Sequence, residues 1–241
     1  MNFLTKNLKK VIAKGYLHFS ICIIIIIMFF SVGILFFITS CAGVDRGSSN
    51  SKGKSNEQLP PKAYVKWLQD VDNGIKKEKT IDDITFSLQY KPSEYVICME
   101  EKKDQISDSL LKLKQAELSD MEYYDLTISL AEGQGELLKH NLTTVSEYDE
   151  RIKYFAFDMQ QDIKLIEDGD TIPCSLYHFE RTYDLAPYSK FLLGFMKGKN
   201  SEPKKRTLTF YDKIFNKGFI KFNYTDEDFN NIPKLKTNDE L

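Results

Sequence analysis

The chain has 241 residues, 42% hydrophobic, 13% aromatic and 28% charged, with 12 glycines and 7 prolines, a composition that excludes a disordered or fibrous chain and predicts a packed core. Its net charge of −2 conceals an asymmetry: residues 1–40 hold Lys6, Lys9, Lys10 and Lys14 and no acid, so the rest keeps 29 of the 33 basic residues against all 35 acids. The one dense basic run, Lys204-Lys205-Arg206, lies beside Asn200, Ser201, Glu202 and Pro203 and reads as a solvated loop, so the acidic body argues against nucleic acid as a partner.

Residues 19–40, FSICIIIIIMFFSVGILFFITS, carry no charge and follow the lysine-bearing leader. They are long enough to span a bilayer, but a basic leader, an apolar run and small residues before a cut also define a secretory signal. The end of the run separates the two. It reads Ile38-Thr39-Ser40-Cys41-Ala42-Gly43, which resembles the lipobox of bacterial lipoproteins: an aliphatic residue, two small ones, then cysteine. The resemblance covers residues 1–43. It implies that the Cys41 thiol takes a diacylglycerol thioether, that the lipoprotein signal peptidase cuts between Ser40 and Cys41, and that membrane lipid is the partner of the acylated Cys41.

Residues 42–62 are rich in Ser, Gly, Asn and Lys, as a flexible tether is, with Pro60-Pro61 stiffening its far end. The expected organisation is a signal peptide over 1–40, a lipidated cysteine and tether over 41–62, and a single globular domain over 63–241. The abundance of Lys, Ile, Asn and Phe resembles that of low-GC bacteria such as Bacteroidota, in which acids soon after the lipidated cysteine promote outer-surface display. Here Asp45 stands with Arg46 beside it, so within the cell envelope the periplasmic and the outer face both stay open.

In the body, Ile84, Phe86, Leu88 and Tyr90 alternate with polar residues, the period of a half-buried strand that Pro92 ends. From Ser93 to Leu118 the residues Tyr95, Cys98, Met99, Ile106, Leu110 and Leu113 recur at helical spacing. This predicts one long amphipathic helix with Ser93 as N-cap and with Ile106 and Leu110 buried. A strand follows over 121–130, with Tyr124, Leu126, Ile128 and Leu130 on one face, and a shorter helix over 143–156. Strands are then expected over 162–167, 172–183, 190–196, 207–214 and 219–224, with turns at Asp168-Gly169 and Asn216-Lys217-Gly218. A helix-containing front and a strand-rich C-terminal half predict an α+β fold with a mostly antiparallel sheet.

Candidate chemistry is sparse. Processing would remove Cys22 and acylate Cys41, leaving Cys98 and Cys174 either bridged or as two buried thiols. His178 and Glu180 share a strand face, yet two ligands are too few for a metal site, and a solvent-facing polar strip accounts for them. His140, beside Asn141, reads as a loop residue. Glu167-Asp168-Gly169-Asp170 reads as a tight turn rather than a calcium loop. Neither a cofactor nor a metal is implied, and no catalytic residue is assigned. Trp67, Tyr123, Tyr177 and Tyr211 either line a recognition face or belong to the core. The expectation is a non-catalytic, membrane-anchored binding or accessory module for an unknown protein or surface ligand. The alternatives are an envelope-polymer hydrolase using carboxylates or His178, and a structural subunit of an envelope complex.

Overall fold

The computed structural model describes residues 57–131, 135–182, 185–198 and 205–238. The apolar run, Ser40, Cys41 and the tether up to residue 56 lie outside the described residues. The elements, in chain order, begin with strand β1 (Gln58–Leu59), helix α1 (Pro61–Gln69), strands β2 (Lys76–Ile81) and β3 (Ile84–Lys91), and helices α2 (Ser93–Glu101) and α3 (Asp108–Glu117). After β4 (Met121–Leu130) come α4 (Val145–Lys153), a π-helical turn over Tyr154–Asp158 and α5 (Met159–Asp162). The chain ends with β5 (Lys164–Glu167), β6 (Asp170–Glu180), β7 (Tyr188–Met196), β8 (Lys205–Asp212), β9 (Gly218–Thr225), α6 (Asp226–Asn230) and β10 (Lys234–Leu235).

Eight strands form one sheet in the order β2-β3-β4-β7-β6-β5-β8-β9, and every neighbouring pair is antiparallel. The sheet curls until it is nearly a barrel. Its edges, β2 and β9, share no backbone ladder among the described residues and meet through side chains. The Tyr224 hydroxyl donates to the carbonyls of Ile75 at 3.1 Å and Leu88 at 3.3 Å, and Lys77 Nζ reaches Asp228 at 3.1 Å.

The barrel interior follows from alternation. Phe86 and Leu88 of β3, Tyr124 and Leu126 of β4, Phe191 and Leu193 of β7, and Phe210 of β8 are each no more than 1% exposed, because residues two apart share a strand face. A second cluster, formed by Tyr64 and Leu68 of α1, Ile75, Tyr95, Ile97 and Cys98 of α2, Ile106 and Leu235, binds the helical layer together. Pro60 and Pro61 open α1, where a fixed φ and a missing N–H suit the first turn. Parallel pairing of β1 with β10 joins the start of the domain to its end.

The long helix expected over 93–118 is two helices. Lys102 takes a left-handed conformation, φ 52°, and its N–H closes α2 onto the Cys98 carbonyl. Residues 102–105 are polar and exposed, so nothing holds a helix against the core there, while Ile106 alone is buried. Ser107 then caps α3, accepting from the Leu110 N–H at 3.3 Å. Ser93 is not the cap of α2. Pro92 occupies that place, and the Ser93 hydroxyl donates to Glu94.

No residue of α3 is buried, and Leu113 is 60% exposed. Leu110, expected in the core, is half-buried. Leu110→Ala is therefore expected to cost about 1 kcal/mol, below the usual range for buried leucines, as a small shift in urea midpoint with unchanged slope; a cost of about 3 kcal/mol or more would mean that this helix is packed more deeply.

The second expected helix is present as α4, with the Thr144 hydroxyl accepting from the Glu147 N–H. The π turn after it inserts one extra residue and places Phe155 in the barrel core. There the Tyr177 hydroxyl donates to the Phe155 carbonyl. The predicted turn at Asp168-Gly169 is a two-residue hairpin with φ values of 47° and 104°, and Glu167 pairs with Asp170 across it.

Candidate functional site

Lys204-Lys205-Arg206 is not a solvated loop throughout. Lys205 and Arg206 begin β8, and Arg206, 9% exposed, turns into one end of the barrel. Antiparallel register sets it opposite Glu167 of β5 on one side and Tyr224 of β9 on the other. Curvature brings Glu122, from the start of β4, across the interior. Arg206 Nε donates to Glu167 Oε1 at 2.9 Å, and its Nη2 lies 2.8 Å from Glu122 Oε1. The other Glu122 oxygen accepts from the Tyr124 hydroxyl at 3.2 Å.

Both carboxylates are nine-tenths buried or more, so their charges rest on this one planar, multi-donor cation. Burial pushes the Glu122 carboxyl above its usual range and Glu167 adds to the effect, while Arg206 pulls it down. Burial also opposes the Arg206 charge, but Glu122 and its neighbours more than offset it, and the guanidinium is held protonated. Gly198 closes the cluster from outside, since a Cβ there would lie 2.5 Å from Glu167 Oε2.

Arg206 also forms the inner wall of a cavity of about 450 Å³ at this barrel mouth. Tyr90 and Phe229 line it beside the guanidinium, which sits 4.4 Å from the centre of the Phe229 ring. Tyr64 of α1, Glu94 of α2 and the C-terminal segment through Leu235 complete the walls. Burial raises the Tyr64 and Tyr90 hydroxyls far above their usual pKa, so both stay neutral. Glu94 is occupied, accepting from Ser93 at 3.1 Å and from the Gln115 amide at 2.8 Å. The mouth thus offers aromatic faces, a fixed guanidinium and tied carboxylates, a surface suited to holding a ligand.

The residues singled out in the sequence lie elsewhere. His178 and Glu180 are exposed on β6, and no group of three or more His, Cys, Asp or Glu among the described residues is placed to hold a metal ion. Cys98 and Cys174 are free buried thiols in separate clusters, so the structure does not join them; burial raises each to about 11. Tyr211 is 45% exposed and pairs with Phe219 on the outside of the sheet, Tyr177 anchors the π turn, and neither these nor Trp67 and Tyr123 line the mouth.

His140, at the far end of β3 from the mouth, is more than a loop residue. Its Nε2 lies 2.6 Å from Asp83 Oδ2, in the β2–β3 turn, and Lys217 Nζ reaches Asp83 at 2.9 Å and Asp82 at 3.0 Å. Lys217 and His140 hold the Asp83 carboxyl down at about 2. This network ties two hairpins and a loop together where the barrel needs closing. No family model matches the chain, and it matches neither a curated protein nor a solved structure.

Proposed function

We propose that the chain is a lipid-anchored protein of the bacterial cell envelope whose body is a non-catalytic binding module, with the barrel-mouth cavity as its ligand site. The observation that carries the binding reading is the direction of the acids. Glu122 and Glu167 face Arg206, and Glu94 is engaged by Ser93 and Gln115. A hydrolase needs a carboxyl free to give or take a proton on the substrate. His178, the other candidate for such chemistry, stands outside the cavity. Purified protein incubated with peptidoglycan and with cell-surface polysaccharide should release no new fragments. Release that disappears in Glu94→Gln would make the protein a hydrolase.

The anchor rests on the residues Ile38-Thr39-Ser40-Cys41 and on the lysine leader and apolar run before them. Two or three acyl chains on one cysteine give firm attachment at about 0.8 kcal/mol per buried methylene. Strand β1 (Gln58–Leu59), near the far end of the tether, pairs with β10 (Lys234–Leu235), whose two residues belong to the cavity wall. Cys41→Ser should abolish incorporation of labelled fatty acid and leave the unprocessed precursor in the membrane. Mass spectrometry of the wild-type protein should find an acylated Cys41 as the first residue. An intact segment 1–40 on the folded protein, with no acyl mass, would replace the lipoprotein reading with a single-pass anchor.

A further inference from the structure

We propose that the outer face of β2, β3, β4 and β7 is a second binding site, separate from the barrel mouth, and that it takes a neutral saccharide. Register builds it. Lys76 stands opposite Gln89 and Gln89 opposite Asp125, while Ser87 stands opposite Thr127 and Thr127 opposite Lys190. All point away from the barrel interior, where a sheet normally carries polar residues in open water. Here they are not in open water: Ser87 and Asp125 are 9% exposed and Gln89 7%. They form the floor of a groove of about 370 Å³ between Gln69 and Tyr95 on the helical side and Tyr188 on β7.

Gln89 is the residue that calls for a ligand. Its Nε2 donates to the Tyr90 carbonyl at 2.8 Å, which fixes the orientation of the amide. Its Oε1 is then buried with no hydrogen-bond partner among the described residues. A folded protein rarely leaves such an acceptor unmet. Although Oε1 is closed off as it stands, a small shift of the Gln89 side chain toward the groove it lines would let a ligand hydroxyl donate to it and remove the penalty.

Charge selects the class. Asp125 is shared by Lys91 and Lys190 at 3.1 Å each, and Lys76 holds Glu78 at 2.9 Å. With its ions paired among themselves, the groove has little to offer an ionic group. It offers donors, acceptors and, at the rim, the 39% exposed Tyr188 ring. A pyranose matches that set, because its hydroxyls both donate and accept while its C–H face stacks on an aromatic ring. A peptide strand fits less well. The β3 and β4 backbones are already paired on both sides, so the face offers side chains and no ladder.

The test is a titration of the isotope-labelled mature protein with neutral tetrasaccharides of glucose, mannose, xylose and N-acetylglucosamine, up to about 10 mM, followed by NMR. At least one should give saturable shifts confined to β2, β3, β4, β7 and the Gln89 side chain. Gln89→Met and, separately, the surface change Tyr188→Ala should each weaken it roughly tenfold, the effect of removing one good hydrogen bond or one ring stack; if Gln89→Met unfolds, Tyr188→Ala decides alone. The proposal is overturned if no member binds, if binding survives Tyr188→Ala undiminished, or if the shifts map to Tyr90 and Phe229. That last result would place the saccharide at the barrel mouth and leave the binding-module reading standing.

Discussion

Arg206→Ala is expected to cost about 3–5 kcal/mol of folding stability at neutral pH, because it strands two carboxylates inside the barrel. Glu122 and Glu167 are 6% and 5% exposed, so water cannot take over the role of the guanidinium, and the cost is that of unpaired buried charge rather than of the two contacts Arg206 makes to them. The pH dependence has a fixed sign. A carboxyl whose folded pKa is raised, as that of Glu122 is by burial, contributes stability at pH below the ordinary glutamate range and loses it as pH rises through the folded value. Without Arg206 the opposing pull is gone and the loss deepens. The deficit relative to wild type should therefore be small near about pH 4 and large near about pH 8. Replacing all three residues, Glu122→Leu, Glu167→Leu and Arg206→Met, should restore most of the stability, since matched apolar groups leave nothing unpaired. Urea unfolding of both variants at both pH values measures this; a deficit for Arg206→Ala that does not change with pH would mean that the carboxylates are not buried as described.

That cluster also shows where reading the sequence stops. Strands β3 and β4 are legible because each carries an apolar stretch along one face, Ile84-Phe86-Leu88-Tyr90 and Tyr124-Leu126-Ile128-Leu130, with Glu122 on the same β4 face just before that stretch. Strand β2 is not, because its barrel-side residues include Lys77 and Lys79, whose charges mask the alternation. In the fold their apolar stems close the seam, with Lys79 Nζ 5.9 Å from the Phe222 ring and Lys77 Nζ 4.9 Å from that of Tyr224. The helical spacing over 93–118 survives a break, since Ile106 stays apolar for its own reason in the connection; Ser107 followed by Asp108 was the local signal of a new start. Arg206 was hidden by its neighbours. Its sequence surroundings are those of a loop, and the partner that buries it, Glu167, lies 39 residues away. His140 and Asp83 are 57 residues apart. Pairings at such distances depend on which strands are neighbours, and the order β4-β7-β6-β5-β8 is a property of the whole sheet that no local pattern encodes.

Phe191→Ala is expected to destabilise the fold by about 3–5 kcal/mol, a large part of the stability of an ordinary domain. Phe191 sits mid-strand on β7, opposite Leu126 on one side and Phe179 on the other, and is fully buried. Its ring stacks on Phe179 at 5.2 Å and meets Phe155 edge-on at 5.1 Å, so truncation leaves a cavity bounded by β-strand backbone that cannot collapse. Phe155 belongs to the π turn, which makes Phe191, with Phe179 and the Tyr177 hydroxyl, one of the contacts by which the barrel interior holds the helical crossover between β4 and β5. Loss of the ring should therefore also loosen the π turn, seen as faster amide exchange over Tyr154–Asp158. The comparison that gives the number meaning is Phe219→Ala. Phe219 is 69% exposed on the outer face of β9 and touches the Tyr211 ring at 5.1 Å, so its removal should change stability by no more than about 0.5–1 kcal/mol. Two phenylalanines on strands of one sheet, separated in effect by several kcal/mol, would reflect which face each side chain occupies. Near-equal urea midpoints for the two variants would show that the inward face has been assigned to the wrong residues.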